Sequence, residues 1–255
     1  MSMGSTGTAH AGSVSAARGK DLLTALTLAL ASSGAWVGLL SLGGSDMDVG
    51  GVGDALAFVG SWLLMMTAMM LPSAVPFVLL LHRTAHRHPA EAAGLAAIGY
   101  LGVWAATGIV ALAVNALLDP TPTAVALVLV AAGAYQLTPL KTWCLRRCRS
   151  PLGFLMQHWR DGRRRAPLRL GVLHGAHCVG CCWALMLVLV GAVGMGLGWV
   201  ALVAAVILVE KVLPGGERLT RPLGLGLIAA GIALLLDPGL AGLGESGMTM
   251  GMEAK

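Results

Sequence analysis

The chain has 255 residues, of which 56% are hydrophobic and only 11% are charged. Soluble domains carry about 25% charged residues, so this composition excludes a water-soluble globular protein. The formal net charge of +5 does not indicate a nucleic-acid partner, because the basic residues lie between long apolar runs. These runs are continuous and about 20 residues long, which is the length that a helix needs to cross a bilayer. We therefore predict an all-α, polytopic membrane helical bundle.

The pattern of apolar runs predicts three regions. Residues 1–20 are rich in Gly, Ser and Ala, which is typical of a disordered segment. A transmembrane domain follows at 21–238, and a Met-rich tail occupies 239–255. We predict about seven transmembrane helices, at approximately 22–42, 55–81, 94–118, 124–140, 170–193, 198–213 and 223–236.

Basic residues predict the orientation of the bundle. Every Lys and Arg except Lys255 lies near the N-terminus or in the second, fourth or sixth connection. The positive-inside rule places these regions in the cytoplasm, so the N-terminus is expected inside and the Met-rich tail outside. The longest connection, 141–169, is a basic cytoplasmic loop that also contains Trp143 and Phe154. We expect it to lie on anionic lipid and not on nucleic acid.

The second predicted span carries a broad face of methionines. They fall at offsets 0, 1, 4 and 5 of a helix: Met65, Met66, Met69 and Met70. Thioethers bind Cu(I), although Met also serves as a flexible core filler. Pro72 and Pro76 each remove a backbone donor, so they are expected to kink the helix and leave carbonyls facing the bundle.

Two cysteines lie at the cytoplasmic end of the fourth span. Cys144 and Cys148 are four residues apart and lie among three arginines, Arg146, Arg147 and Arg149. Together with the three cysteines of the fifth span, they are expected in the cytoplasmic half of the bundle, which favours reduced thiols over structural disulfides. The arginines favour thiolates, but they also serve as an ordinary topology anchor.

The fifth predicted span contains the most specific pattern. Five ligand-type residues fall at offsets 0, 3, 4, 7 and 8: His174, His177, Cys178, Cys181 and Cys182. Residues three and four apart share a helix face, so we expect one stripe of soft ligands. Thiolates with imidazoles suit Cu(I), zinc or an iron centre, and the soft sulfurs favour Cu(I). The structural alternative treats each Cys as a small buried hydrophobe.

Two further sets of residues are candidate metal ligands. Glu210 lies near the inner end of the sixth span, where a carboxylate is costly unless it is paired or ligating. We expect its partner to be His174, His177 or a metal ion, or its side chain to reach the membrane surface. The alternating methionines of the outer tail are typical of Cu(I) capture: Met248, Met250 and Met252.

Three motifs resemble those of a bacterial family of integral membrane proteins that is described only as predicted metal-binding and of unknown function. They are Met66-Thr-Ala-Met-Met-Leu-Pro72, then Tyr135-Gln-Leu-Thr-Pro-Leu-Lys141 with Cys144-Leu-Arg-Arg-Cys148, and His174-Gly-Ala-His-Cys-Val-Gly-Cys-Cys-Trp183. The resemblance covers about 62–236. It implies a metal-binding, multi-pass protein of the bacterial inner membrane.

The leading hypothesis is a copper-handling membrane protein that need not itself be an enzyme. It would hold or transfer Cu(I), with zinc or iron as other possible ions, and pass it to a partner metalloenzyme or metallochaperone. A thiol-redox carrier is one alternative. Another is a non-catalytic subunit of a larger membrane metalloenzyme complex of the oxygenase type.

Overall fold

A computed structural model describes residues 6–41, 52–85, 88–117, 121–158, 165–193 and 196–240. These residues are almost entirely helical and contain no β-strand, which confirms the all-α prediction. α1 begins inside the segment for which the sequence predicts disorder. The helices are Thr6–Ser41 (α1), Val52–Thr84 (α2), Pro89–Leu117 (α3), Pro122–Gln136 (α4), Pro139–Arg149 (α5), Pro151–His158 (α6), Ala166–Val188 (α7), Leu197–Val212 (α8) and Thr220–Leu236 (α9).

Helices occupy all seven predicted spans, but they differ in length. Among the described residues five segments are long and apolar enough to cross a membrane alone: Gly19–Ser41, Gly53–Thr84, Pro89–Val114, Ala166–Val193 and Gly216–Leu236. α4 and α5 together make a sixth candidate, bent by 64° between them. α8 has 16 residues and is about 24 Å long, which is shorter than the hydrocarbon core of about 30 Å.

Glycines bring two helix pairs into backbone contact. A Cβ atom on Gly171 of α7 would lie 2.1 Å from the carbonyl oxygen of Ala96 on α3. On α9, a Cβ atom on Gly231 would lie 2.7 Å from the carbonyl oxygen of Ala126 on α4. Small residues at such crossings let membrane helices pack closely. The two contacts fix α7 against α3 and α9 against α4.

α2 is continuous through both of its prolines. A proline at position 72 cannot donate the helical hydrogen bond to the carbonyl of residue 68. That carbonyl, on Ala68, accepts a hydrogen bond of 2.9 Å from the hydroxyl of Ser32 on α1. The predicted free carbonyl is thus present at this position, and it links α2 to α1.

The bend between α4 and α5 turns the start of the predicted basic loop back into the bundle. Thr138 is extended, as residues before proline usually are. Its hydroxyl caps α5 by accepting from the backbone N–H of Lys141 at 3.3 Å, and Pro139 occupies the first turn. The described part of the segment 141–169 is therefore mostly helical, and it buries Phe154 and Leu155.

Candidate metal centre

The predicted His/Cys stripe lies on one continuous helix, α7. His174, Cys178, Cys181 and Cys182 are buried, and His177 is half-buried. The three thiols belong to one apolar core, built by α2, α3, α7 and α8 together with α5. The reactive side chains of this helix therefore face protein and not the outer surface of the bundle.

Three sulfur atoms form a row where α5 meets α7. Cys181 Sγ lies 3.3 Å from Cys182 Sγ and 3.8 Å from Cys148 Sγ on α5. A disulfide bond is about 2.05 Å long, so the row consists of separate thiols, in agreement with the five free cysteines. We refer to Cys148, Cys181 and Cys182 as the sulfur row.

Cys144 also faces α7, one helical turn before Cys148. Its Sγ lies 2.7 Å from the position that a Cβ atom on Gly180 would take. Because Gly180 has no side chain, α5 can approach α7 closely. The hydroxyl of Tyr135, at the end of α4, donates a hydrogen bond to the carbonyl of Gly180 at the same level. This contact joins α4 to the section of α7 that carries the thiols.

The chemistry and spacing of the sulfur row fit a soft metal ion. Two sulfurs bound to one tetrahedral ion at about 2.3 Å lie about 3.8 Å apart, as Cys148 and Cys181 do. Thiolates prefer Cu(I), zinc and iron–sulfur centres to hard cations. Within the described ranges, no three His, Cys, Asp or Glu side chains form a ready-made site for an ion. The row therefore offers pairs of sulfurs, and a third ligand requires a side-chain rotation.

His174 lies in an aromatic cluster instead of the sulfur row. Its ring stacks on Phe77 with a centroid distance of 4.3 Å and meets Phe154 edge-on at 5.4 Å. Its Nδ1 atom is buried and has no hydrogen-bond partner among the residues that the structure describes. The contacts place His174 between α2 and α6.

His177 has both of its ring nitrogens engaged. Nδ1 lies 2.7 Å from the carbonyl of Leu173, to which it can only donate, so Nε2 of the neutral ring is an acceptor. Nε2 lies 3.4 Å from the guanidinium of Arg147 on α5. The ring also packs against Trp143, with a centroid distance of 5.3 Å. These contacts direct His177 toward Trp143 and Arg147 of α5.

Cys178 is bound by a buried lysine. The ammonium of Lys211, on α8, lies 2.8 Å from Cys178 Sγ, and the hydroxyl of Tyr100, on α3, lies 2.9 Å from the same sulfur. An ammonium has only donors, so this sulfur accepts. Cys178 is therefore already engaged with a positive charge from another helix.

Glu210 is paired with a residue that the sequence assigned to a loop. Its Oε2 atom lies 2.7 Å from the ammonium of Lys141 on α5, and both side chains are buried. The expected partners, His174 and His177, are engaged in the contacts described above, so that expectation is corrected. The pairing arises because α5 folds back onto α8, which the sequence pattern of a basic loop does not reveal.

The methionine face of α2 points into the interior. Met66, Met69 and Met70 are buried in the same apolar core as the thiols of α7. Met70 Sδ lies 3.9 Å from the ammonium of Lys211. Three other candidate ligands, in the tail, lie outside the described residues: Met248, Met250 and Met252.

Sequence reasoning missed the three polar residues that hold this core together, namely Tyr100, Lys141 and Lys211. One signal was available for Lys141. Thr138 and Pro139 are a helix cap and a first-turn proline, so they predict a helix that begins just before Lys141. Lys211 directly follows Glu210 at the end of an apolar run, where two adjacent charges indicate two buried partners.

Comparison with known protein families supports a role in copper handling. A family model described as PpoB2, copper chaperone, matches residues 59–234. The match runs from α2 to α9, so it includes the methionine face, both cysteine segments and both buried lysines. No curated protein matches the chain, and no solved structure matches it. Because the matched region covers more than half of the sequence, the chain belongs to the PpoB2 copper chaperone family.

Proposed function

We propose that the chain binds Cu(I) inside a membrane-embedded helical bundle and delivers it to a partner metalloenzyme. The observation that carries this proposal is the position of Cys181 Sγ, within 3.8 Å of Cys148 Sγ and 3.3 Å of Cys182 Sγ. A cluster made only of sulfur ligands suits soft metal ions, and Cu(I) is one of them. Membership of a copper chaperone family supports the same ion.

The sulfur row gives the ion a path from the edge of the bundle to its interior. Cys148 is half-buried, whereas Cys181 and Cys182 are fully buried. Cu(I) captured at Cys148 can pass to Cys181 and then to Cys182 by ligand exchange. In each step one copper–sulfur bond forms as another breaks, and the proton lost by the newly bound thiol is taken up by the thiolate that the ion leaves. No change of oxidation state is needed.

The proposed location is the bacterial inner membrane, with the sulfur row near the cytoplasmic face. α5 and α6 expose apolar side chains, and α5 carries three arginines, which supports contact with anionic lipid. The Arg147 guanidinium stacks on the Trp143 ring at 3.9 Å. The exposed apolar residues of the two helices are Leu140, Trp143, Leu152 and Met156.

Copper analysis of purified protein tests the proposal. Wild type, Cys181→Ser and Cys144→Ser are loaded with Cu(I) under reducing conditions, washed with a Cu(I) chelator and assayed by atomic absorption. We expect Cys181→Ser to lose the bound copper, because Cys181 is the central sulfur of the row. Cys144→Ser is the matched control and retains it. Equal copper in wild type and Cys181→Ser contradicts the proposal.

The Cys148–Cys181 pair also supports a second candidate, a thiol-redox carrier. A side-chain rotation would bring these two sulfurs within bonding distance. This function predicts a disulfide that forms under oxidant and needs no metal, which alkylation trapping followed by mass spectrometry detects. A role as an accessory subunit of a membrane metalloenzyme instead predicts co-purification with that enzyme at a fixed stoichiometry.

A further inference from the structure

A buried ammonium occupies a pocket whose other groups are those of a soft-cation site. The ammonium of Lys211 lies 2.8 Å from Cys178 Sγ, 3.9 Å from Met70 Sδ and 3.4 Å from Ser73 Oγ. The residues come from α8, α7 and α2, and the thiol and thioether are fully buried. A thiol, a thioether and a hydroxyl around one positive charge resemble the ligands of a monovalent soft metal ion.

The pocket is held in place by further contacts. The Tyr100 hydroxyl, on α3, lies 2.9 Å from Cys178 Sγ and 3.2 Å from the carbonyl of Met70. Ser73 donates to the same carbonyl at 2.8 Å. Tyr100 on α3 thus contacts both the Cys178 thiol and the backbone of Met70, and Ser73 is held by its own helix, so the pocket does not depend on Lys211 alone for its shape.

The other buried lysine of the core, Lys141, has a different kind of partner from Lys211. Lys141 is paired with the carboxylate of Glu210 at 2.7 Å. Lys211 is next to Glu210 in the sequence, but adjacent helical residues point in directions about 100° apart. The ammonium of Lys211 therefore points away from Glu210. A buried ammonium needs partners, and here they include sulfur atoms in place of a carboxylate.

We propose that Lys211 is a tethered cation that fills a second soft-cation site, formed by Cys178, Met70 and Ser73, and so keeps Cu(I) out of it. The proposal rests on the proposed function, in which Cu(I) binds the sulfur row. A Cu(I) ion on Cys178 would lie beside the ammonium, and two positive charges repel strongly in a low-dielectric interior. Lys211 thereby confines copper to Cys148, Cys181 and Cys182, which lie along the path to the edge of the bundle.

Counting bound copper tests the inference. Wild type, Lys211→Leu, the charge-retaining control Lys211→Arg and the double variant Lys211→Leu/Cys178→Ser are titrated with Cu(I) against a competing chelator, without oxygen. Leucine removes the charge and adds no sulfur. We expect Lys211→Leu to bind one more Cu(I) per chain than wild type, and the double variant to lose that extra ion. Lys211→Arg, which keeps a positive charge beside Cys178, binds as many ions as wild type.

A second variant decides the question if Lys211→Leu does not fold. Cys178→Ser in the wild-type background is expected to bind as much Cu(I) as wild type, because Cys178 is already held by the ammonium. Loss of copper in Cys178→Ser, or equal copper in wild type and a folded Lys211→Leu, overturns the inference. Failure of the proposed function looks different: Cys181→Ser then binds as much copper as wild type.

Discussion

The ammonium of Lys141 lies 2.7 Å from the carboxylate of Glu210, in a buried ion pair that joins α5 to α8. Arg149 strengthens the same contact, since its guanidinium donates to the carbonyls of Glu210 and Leu213 at the end of α8. α5 is thus fixed on α8 at both ends. This attachment determines where Cys148 meets α7, and therefore where the sulfur row forms.

Breaking the Lys141–Glu210 pair is expected to destabilise the fold. Glu210→Ala leaves an unpaired buried ammonium, which costs about 3–5 kcal/mol. Replacing both residues by leucine removes both charges and is expected to restore most of that loss. Denaturant unfolding in detergent micelles measures the free energy of unfolding. The ion pair is not important for stability if Glu210→Ala unfolds at the wild-type midpoint.

A methyl group at the α3–α7 crossing is expected to push the two helices apart. In Gly171→Ala the new Cβ atom would lie 2.1 Å from the carbonyl oxygen of Ala96, so the backbone must shift, at a cost of about 1–3 kcal/mol. Gly102→Ala on α3 is the control, because no described atom outside its own stretch of helix lies within 4 Å of its Cβ position. Thermal unfolding of both variants provides the measurement. Equal stability of the two would show that the crossing tolerates the extra atom.

The five thiols should differ in their rate of alkylation. Cys148 is the half-buried one and the other four are buried, so a polar maleimide is expected to modify Cys148 first. Bound Cu(I) should slow that reaction, because a sulfur coordinated to the ion is not available to react with the maleimide. Mass spectrometry of peptides from pulse-labelled protein, with and without copper, measures both effects. Protection of Cys144 in place of Cys148 would move the copper site one turn along α5.

Loosening α5 should weaken copper binding without removing any ligand. Arg149→Gln loses the ion pair to Glu217 at 3.0 Å and the hydrogen bonds to the end of α8. Residues that orient metal ligands typically contribute 10–100-fold in affinity, and we expect a weakening of about that size. Arg146→Gln is the matched control, because Arg146 is exposed on the same helix. Chelator competition measures both affinities, and equal values would exclude a positioning role for Arg149.

Much of the architecture follows from local sequence patterns and could therefore be predicted from the sequence. Long apolar runs predict membrane helices because each backbone group in hydrocarbon must be satisfied within its own segment. The stripe on α7 follows from the helical repeat, so the burial of Cys178, Cys181 and Cys182 was predictable. Pro72 likewise predicted a free carbonyl, which the structure shows on Ala68.

The partners of these residues were decided by tertiary structure. Cys178, Cys181 and Cys182 share a helix face, yet Cys178 meets Lys211 while Cys181 meets Cys148. Such contacts depend on how α5 and α8 pack against α7, which no local pattern specifies. The sequence by itself determined a helical membrane bundle with soft ligands inside it. Only the tertiary structure decided which sulfurs stand together and which is bound by an ammonium, because those contacts join residues far apart in the chain.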